Sequence, residues 1–341
     1  MLDRISVSEL NLMAQTPEQW LFSLSRPVAI EIPGKDTSRC RVVSVLIHGN
    51  EPSGFFAVYE FIKKEVQPVT NLSIVISSIR AAKVPPVFSH RVVPGEFDLN
   101  RRFGVLDCHN RVTELARHIT EYIRSLCPEV IIDLHNTSGN GPAFSVSISD
   151  HPVIRQVATL FSEQMIVTQL NVGSLMEQNF NCPVVTVECG GAEDPVAHRC
   201  ALDGLLKFSQ LSLRTEQSEL PMKVYMHPVR VKAVEGVSLT YERQENSDFD
   251  LTLLFDIEKF NNNVLPIGAS IGWVGRELAD CLTAIDDFGY QVVHNFFAVK
   301  DNQIIAKQAL QIFMATARRD IALSDCLFYV VAVERTACDL K

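Results

Sequence analysis

A histidine and a glutamate lie three residues apart at His48 and Glu51, in a turn that follows the apolar run from Val42 to Ile47. That run is interrupted only by Ser44, and it predicts a buried strand that ends at His48. A neutral imidazole and a carboxylate are ligands that a catalytic zinc ion takes from proteins. The same spacing also occurs in ordinary polar turns between a strand and a helix, so a metal site needs further ligands from elsewhere in the chain.

Two more predicted strand ends carry residues of the same kind. Asp133 and His135 close the predicted strand Val130 to Leu134, and Glu188 follows the predicted strand Val184 to Val187. Parallel strands joined by helical crossovers bring their carboxyl ends to one edge of a sheet, where these residues and the first pair can converge. Two histidines and one carboxylate leave a coordination position open for water, which is the pattern of a catalytic zinc site.

Two further carboxylates accompany this candidate ligand set. Asp133 precedes His135 by two residues, so both side chains can project to the same side of the strand. Asp133 could therefore orient the imidazole or brace the site in another way. Glu188 supplies the carboxylate that a metal-dependent hydrolase needs as general base and proton shuttle. Without a metal, His135 would be a capping or core histidine and Glu188 a solvated turn residue.

A long segment without clear periodicity, Val84 to Gly104, is predicted to be a loop because prolines and glycines recur along it. Loops of this length inside a compact domain are usually functional. Arg91 could stabilise a developing oxyanion, while Asn100 and Arg101 could hold a substrate carboxylate, whose shape a guanidinium matches. The alternative is a solvated basic loop.

The elements that would position these residues alternate between helices and strands. Apolar residues at helical spacing predict helices at Phe55–Glu65, Arg111–Leu126, Pro152–Met165 and Pro195–Leu213. Further β-branched or apolar runs predict strands at Leu72–Ile79 and Ala143–Ile148. The alternation indicates an α/β fold whose mostly parallel sheet is covered on both faces.

The pattern of predicted secondary structure changes near Glu219-Leu220-Pro221. From Lys223 onward the segments are short and strand-like, with glycines between them, which indicates a smaller β-rich domain. We therefore expect a catalytic domain over residues 1–215 and a β-rich C-terminal domain over residues 220–341.

The composition excludes several classes of protein. The chain has 341 residues, of which 47% are hydrophobic and 21% charged, as in globular proteins. A net charge of −9 without a basic block argues against a nucleic-acid partner. No apolar run is long enough to span a bilayer, so no membrane partner is expected. The oligomeric state stays open, a homo-oligomer included.

The cysteines and the N-terminus indicate the compartment. Nine cysteines without a Cys-x-x-Cys motif form neither a disulfide framework nor a zinc-knuckle pattern. The N-terminus lacks the basic and then apolar layout of a signal peptide. We expect reduced thiols in a cytoplasmic protein.

Four motifs, taken together, resemble the succinylglutamate desuccinylase/aspartoacylase family, a branch of the zinc carboxypeptidase superfamily. The matching segments are His48-Gly49-Asn50-Glu51, Asp98-Leu99-Asn100-Arg101-Arg102-Phe103, Asp133-Leu134-His135-Asn136-Thr137 and Val187-Glu188-Cys189-Gly190. Their order and their separations also fit this family. The resemblance extends over the part of the chain that holds these motifs and becomes thin beyond it.

The resemblance implies a fold and a metal site. It implies one zinc ion (Zn²⁺) per chain, bound by His48, Glu51 and His135, with Glu188 as the general base. The implied fold is a carboxypeptidase-like α/β/α sandwich with a mostly parallel mixed sheet. A smaller β-rich domain follows it and narrows access to the site.

Substrate recognition follows this family only in part. The resemblance implies that Arg91 polarises the scissile carbonyl and that Asn100 and Arg101 grip a substrate carboxylate. In aspartoacylases proper, an arginine ten residues before the catalytic glutamate binds a side-chain carboxylate of the substrate, and that position is Gln178 here. In those enzymes a tyrosine of the C-terminal domain also contacts the substrate, and the corresponding position here is Val299. Both changes remove groups that would recognise an acidic amino acid, so N-acetylaspartate is not the expected substrate.

The activity predicted from these residues is zinc-dependent hydrolysis of the amide bond of an N-acyl amino acid or a similar small amide. One alternative is a carboxypeptidase-type peptidase that uses the same centre. A second alternative is a catalytically silent zinc-binding protein, against which the complete ligand set and Glu188 argue.

Overall fold

The computed structural model describes residues 2–10, 16–106, 109–169, 171–213, 221–286 and 289–333. The chain divides into two compact units, residues 1–136 with 143–224 and residues 137–142 with 225–341. The domain boundary predicted between 215 and 220 lies outside the described residues. Among the described residues, no helix combines the length and apolar character that crossing a bilayer requires.

The first unit is built on one large sheet. Its strands are β1 Asp3–Ser6, β2 Val28–Ile32, β3 Asp36–Val45, β4 Thr70–Ile76, β5 Ile131–Thr137, β6 Phe144–Ser147, β7 Gln164–Val167, β8 Val184–Gly191 and β9 Lys223–Met226. The accompanying helices are α1 Pro17–Ser23, α2 Ser53–Lys63, α3 Ile79–Ala82, α4 Arg111–Leu126, α5 Pro152–Ala158 and α6 Pro195–Gln210. Short 3₁₀ turns lie at Val7–Glu9, Leu99–Arg101 and Leu175–Glu177.

The strands of this sheet lie in the order β1-β2-β4-β3-β5-β8-β6-β7-β9. The pairs β1/β2, β3/β4, β3/β5 and β6/β7 are parallel, whereas β2/β4 and β6/β8 are antiparallel. The sheet is therefore mixed, with mostly parallel pairs among those in the described residues. Strands β3, β5 and β8, which carry the predicted site, are consecutive neighbours.

Both faces of the sheet are covered by helices. Val43 and Val45 of β3 pack into one buried cluster with Phe55 of α2. Val42, whose side chain points the other way, packs with Ile119 of α4 in a second cluster. Burying such a side chain contributes about 1.5–3 kcal/mol. The apolar run that predicted a buried strand is thus apolar because both of its faces are covered, and the expected α/β/α architecture is confirmed.

One predicted helix is shorter than its sequence suggested. The helix expected over Pro152–Met165 ends at Ala158, and Gln164–Val167 is strand β7 instead. β7 pairs in parallel with β6 and buries three of its four residues. A short apolar run fits either a helix face or a buried strand, so the pairing partner decided between them.

The second unit consists mainly of short strands, in agreement with the β-rich expectation. Its strands are β10 Val229–Ala233, β11 Leu239–Glu242, β12 Leu251–Leu254, β13 Val264–Leu265, β14 Ser270–Val274, β15 Leu282–Ile285, β16 Phe297–Lys300, β17 Gln303–Ala306, β18 Leu310–Phe313 and β19 Phe328–Ala332. Its helices are α7 Leu278–Cys281, α8 Val293–Phe296 and α9 Arg319–Ser324, with a 3₁₀ turn at Ile257–Phe260.

These strands form two five-stranded sheets, in the orders β13-β18-β19-β10-β15 and β11-β12-β14-β17-β16. Side chains of both sheets share one buried apolar cluster, which includes Val231 of β10 and Leu253 of β12. Val299, the position of the family's tyrosine, lies exposed on the edge strand β16. Each sheet thus supplies one wall of a common core.

Candidate metal centre

The backbone takes an unusual conformation immediately before His48. Leu46 is fully buried and has a φ of 56°, in the left-handed region that bulky residues rarely adopt. Ser78 holds this turn in place, because its backbone N–H donates to the Leu46 carbonyl oxygen (2.7 Å) and its hydroxyl donates to the Ile47 carbonyl oxygen (2.6 Å). Strain of this kind persists where the surroundings enforce it, often at functional sites. Here it sets the direction in which the chain leaves β3.

Gly49 packs the same turn directly against helix α3. A Cβ at this position would lie 2.5 Å from the Ala82 backbone nitrogen and 2.6 Å from Ala81 atoms, so only glycine fits. The Gly49 N–H donates to the carbonyl oxygen of Arg91 at 3.0 Å. The turn that carries His48 is therefore joined to the long loop that carries Arg91.

The Glu51 carboxylate lies between two imidazoles. Its Oε1 is 2.8 Å from Nδ1 of His48, and its Oε2 is 2.7 Å from Nδ1 of His135. The three side chains are buried, with only 3%, 6% and 3% of His48, Glu51 and His135 exposed. Their ligand atoms all lie within 4.8 Å of one another. The structure thus brings together the three residues that the sequence predicted as ligands.

The second nitrogen of each imidazole contacts a further carboxylate. Nε2 of His48 is 3.1 Å from Oδ1 of Asp98, and Nε2 of His135 is 2.7 Å from Oδ2 of Asp133. A carboxylate on the outer nitrogen orients a metal-binding imidazole and raises its basicity. Of the two roles that the sequence left open for Asp133, the geometry supports the orienting one.

Burial and neighbouring charges shift the pKa values of Glu51 and His135 in opposite directions. Burial alone would raise the pKa of Glu51, but the charges of His48 and His135 hold that pKa well below its usual range. Burial would lower the pKa of His135, but Asp133 and Glu51 raise it well above its ordinary value. A proton on His135 therefore offsets the charge of the buried carboxylates, and a divalent cation can replace such a proton. Two imidazoles and one carboxylate, each oriented by a neighbour, fit zinc.

Glu188 lies inside β8 rather than in a turn after it. The strand predicted to end at Val187 continues to Gly191, because Glu188 pairs with Phe144 of β6. The side chain is 8% exposed, and its Oε2 has no hydrogen-bond partner among the described residues. Burial raises the pKa of Glu188 to about 7, against the lowering charge of His135 and with a further raising contribution from Glu51. Such a carboxyl can accept and donate a proton near neutral pH.

Arg91 reaches the cluster from the long loop. Its Nε is 3.0 Å from Oδ2 of Asp98, and its Nη1 is 3.5 Å from Oε1 of Glu51. Asp98 therefore contacts both His48 and Arg91. Burial would raise the pKa of Asp98, but the charges of His48, Arg91 and Arg101 lower it.

Asn100 and Arg101 lie beside Asp98 in the 3₁₀ turn. The Asn100 N–H donates to Oδ1 of Asp98 at 2.8 Å, and its side-chain Oδ1 accepts the N–H of Leu175 at 3.1 Å. Nη1 of Arg101 donates to the Asn100 carbonyl oxygen at 3.0 Å. The carbonyl end of the Asn100 amide is thus used within the protein, and its NH₂ group is the end that a substrate carboxylate could use.

Asn136 is a site residue to which the sequence assigned no role. Its Oδ1 accepts the N–H of Ser53 (3.0 Å), and its Nδ2 donates to Oγ of Ser53 and to the Gly190 carbonyl oxygen (both 2.8 Å). It thereby joins β5, the start of α2 and the end of β8. The Ser53 hydroxyl also forms a hydrogen bond with Nδ1 of His198 at 2.7 Å. The sequence signal for a role of Asn136 was its position directly after His135. Asp98 was likewise assigned no role, and its signal was its position two residues before Asn100.

Gln178 follows the 3₁₀ turn Leu175–Glu177 and lies against the end of the long loop. A Cβ at Gly104, whose φ is 79°, would lie 3.0 Å from Nε2 of Gln178. The position that the sequence resemblance matched to an arginine of aspartoacylases therefore carries a neutral amide.

Comparison with solved structures shows which fold this is. No protein-family model and no curated protein matches the sequence. The succinylglutamate desuccinylase of Vibrio parahaemolyticus superposes with a TM-score of 0.61 at 15% identity, over 95% of this chain and 97% of that one. The chain has the succinylglutamate desuccinylase/aspartoacylase fold. This confirms the fold that the four motifs implied.

Two further structures agree. The succinylglutamate desuccinylase of Vibrio cholerae gives a TM-score of 0.57 at 14% identity, over 95% of this chain and 96% of that one. A succinylglutamate desuccinylase/aspartoacylase of Rhodobacter sphaeroides gives 0.55 at 12% identity, over 90% and 88%. The likeness extends over both units, well beyond the segments that carry the motifs.

Proposed function

We propose that this protein is a zinc-dependent amidohydrolase that cleaves the C–N bond of an N-acyl amino acid or a similar small linear amide. One observation supports this most strongly. The buried Glu188 carboxyl, whose Oε2 has no hydrogen-bond partner among the described residues, lies close enough to His48, Glu51 and His135 to interact with them electrostatically. A general base beside a candidate metal site is the arrangement that metal-dependent hydrolysis of an amide needs.

His48, Glu51 and His135 would hold one zinc ion per chain. When bound, zinc would act as a Lewis acid on the scissile carbonyl and lower the pKa of the attacking water. Asp98 and Asp133 would keep Nδ1 of each imidazole directed at Glu51, where the ion would be held.

Glu188 would transfer the proton, and Arg91 would stabilise the charge that develops on the substrate. Glu188 takes a proton from the attacking water and then gives it to the leaving amine, as a general base and then a general acid. The Arg91 guanidinium stabilises the negative charge that develops on the carbonyl oxygen. Its Nε contact with Asp98 holds the guanidinium in place for this role.

The substrate carboxylate would be held by Arg101 and by the NH₂ group of Asn100. A guanidinium and an amide donor together match the two oxygens of a carboxylate. Gln178 offers no positive charge for a second carboxylate. We therefore propose an N-acylated amino acid whose own side chain is not acidic.

The two alternatives make different demands on the site. A peptidase would use the same ligands and the same base, and would differ only in its substrate. A catalytically silent zinc protein would have no need of Glu188. Its buried Oε2, without a hydrogen-bond partner among the described residues, costs about 1–3 kcal/mol of stability. That cost favours a catalytic role for this carboxyl.

The deciding experiment compares the wild type with Glu188→Gln and His135→Ala. Zinc content is measured by mass spectrometry, and hydrolysis is assayed on N-acetyl and N-succinyl amino acids and on dipeptides. We expect Glu188→Gln to keep one zinc per chain and to lose turnover by about 10³-fold or more. His135→Ala should lose both zinc and activity.

Arg117→Ala is the control, since Arg117 lies exposed on α4 in an ion pair with Glu121. Full activity in Glu188→Gln would refute the mechanism. Faster hydrolysis of dipeptides would establish the peptidase, and zinc binding without any hydrolysis would establish the silent protein.

A further inference from the structure

A cavity of about 330 Å³ lies in the first unit, apart from the candidate metal centre. Its walls come from the residues before β2, the residues after β4, the loop Val92–Leu99 and the start of α4. None of the predicted ligands, and none of Arg91, Asn100, Arg101 and Glu188, lines it. Its volume is in the range of pockets that bind small molecules.

The polar part of this cavity is positive. Arg26, Arg80 and Arg111 line it together with a single carboxylate, Glu96, although the whole chain has a net charge of −9. Nη1 of Arg80 is 2.7 Å from Oε1 of Glu96. Arg111 is in no ion pair and no side-chain hydrogen bond with any of the described residues. Nε of Arg26 is 3.3 Å from Oδ2 of Asp3. Among the described residues, Arg111 is therefore the guanidinium of this lining that no carboxylate balances.

The remaining lining is apolar. Pro27, Val92, Val93, Phe97 and Leu115 contribute carbon surface to the cavity. Inorganic ions would leave this surface in contact with water. A ligand with an anionic head and a short hydrocarbon body would cover it and also meet the guanidinium groups.

We propose that this cavity binds a small organic anion with a carboxylate or phosphate head group and a short apolar body. The head group would be bound by Arg111 and Arg80. Glu96 would compete with it for Arg80. This site requires neither zinc nor turnover, so it stands or falls independently of the proposed hydrolase.

The probes for calorimetric titration of the full chain are hexanoate, hexyl phosphate and 1-hexanol. These share a six-carbon body and differ in the head group. We expect at least one of the two anions to bind and 1-hexanol not to bind. The tighter of the two anions identifies the head group. Failure of both anions to bind at millimolar concentration would overturn the proposal, as would equal binding of 1-hexanol.

Variants then locate the binding. Arg111→Ala should weaken it by about tenfold, the usual effect of removing one charged hydrogen-bond partner. Arg117→Ala, on the same helix but outside the lining, should leave it unchanged. Unchanged affinity in Arg111→Ala would place the binding elsewhere and refute the site.

A further variant tests the competition for Arg80. Glu96→Gln should tighten binding, because it releases Arg80 from its competing carboxylate. If Glu96→Gln weakens binding, the proposed contacts are wrong.

Discussion

Oδ2 of Asp133 lies 2.7 Å from Nε2 of His135, on the ring nitrogen that does not face Glu51. The buried side chains of Glu51, His135 and Asp133 therefore form a carboxylate–imidazole–carboxylate chain at the end of β5. The inner carboxylate and the imidazole are candidate zinc ligands, and the outer carboxylate determines which nitrogen of the imidazole is available.

Asp133→Asn should lower zinc affinity by about 10–100-fold, the usual cost of losing an outer carboxylate. The amide keeps the size of the side chain but no longer fixes the tautomer of His135 by charge. Competition with a chelator of known affinity measures the effect. Asp150→Asn is a matched control, since Asp150 forms an exposed ion pair with Arg155. Equal affinities in the two variants would contradict the role assigned to Asp133.

Arg91→Lys should keep zinc bound and lower kcat by about 10²–10³-fold, as when one oxyanion donor is removed. Lysine keeps the positive charge but not the planar group that contacts Asp98 through Nε while extending Nη1 towards Glu51. Zinc content and steady-state kinetics, measured on the same preparation, test this. A rise in KM with unchanged kcat would show that Arg91 binds substrate instead.

Glu188 should make the metal-free protein less stable as the pH rises. Its folded pKa of about 7 lies above the ordinary value of 4.5, so the folded state holds this proton more tightly than the unfolded state does. The free energy of unfolding should therefore fall between about pH 4.5 and pH 7 and then level off. Glu188→Gln lacks this decline and should gain roughly 1–3 kcal/mol over the wild type across that interval.

Urea unfolding in the presence of a chelator, at several pH values for both proteins, measures this difference. The other titrating groups of the site are common to both proteins, so the difference reports Glu188. Stability curves that run parallel from pH 4.5 to pH 7.5 would show that Glu188 is ionised throughout.

Asn100→Asp and Asn100→Ala should distinguish the role of the Asn100 side-chain oxygen from the role of its NH₂ group. Aspartate can still accept the N–H of Leu175, but it replaces the NH₂ donor with an oxygen that repels a carboxylate. We expect Asn100→Asp to raise KM by about tenfold or more, with a smaller change in kcat, because uniform substrate binding is lost. Asn100→Ala should also lower Tm, because Leu175 loses its acceptor. If Asn100→Asp has the wild-type KM, the substrate carboxylate binds elsewhere.

Much of the candidate site could be predicted because its signals are local. The apolar run before His48, the pair Asp133 and His135, and Glu188 at the next strand lie in short segments whose periodicity marks the strands. The rule that parallel strands share one edge then brings these segments together without any knowledge of packing. The alternation of helices and strands predicted the α/β/α layers for the same reason.

Other features depended on partners that are distant in the chain. Whether Gln164–Val167 continued a helix or formed a strand was decided by its pairing with β6, and the extension of β8 through Glu188 was decided by Phe144. Local sequence is compatible with both outcomes in each case, since backbone pairing carries no signal in the segment itself.

The sequence by itself determined the kinds of ligand and the strand ends at which they lie, because residue type and periodicity are properties of single segments. Only the tertiary structure decided which nitrogen of each histidine faces Glu51, since Asp98 is 50 residues from His48 and Glu51 is 84 residues from His135. It also decided that Glu188 is buried near Glu51, and both burial and that charge raise its pKa. Burial and hydrogen-bond partners are properties of packing, so the local motif alone does not determine the protonation of the side chains in it.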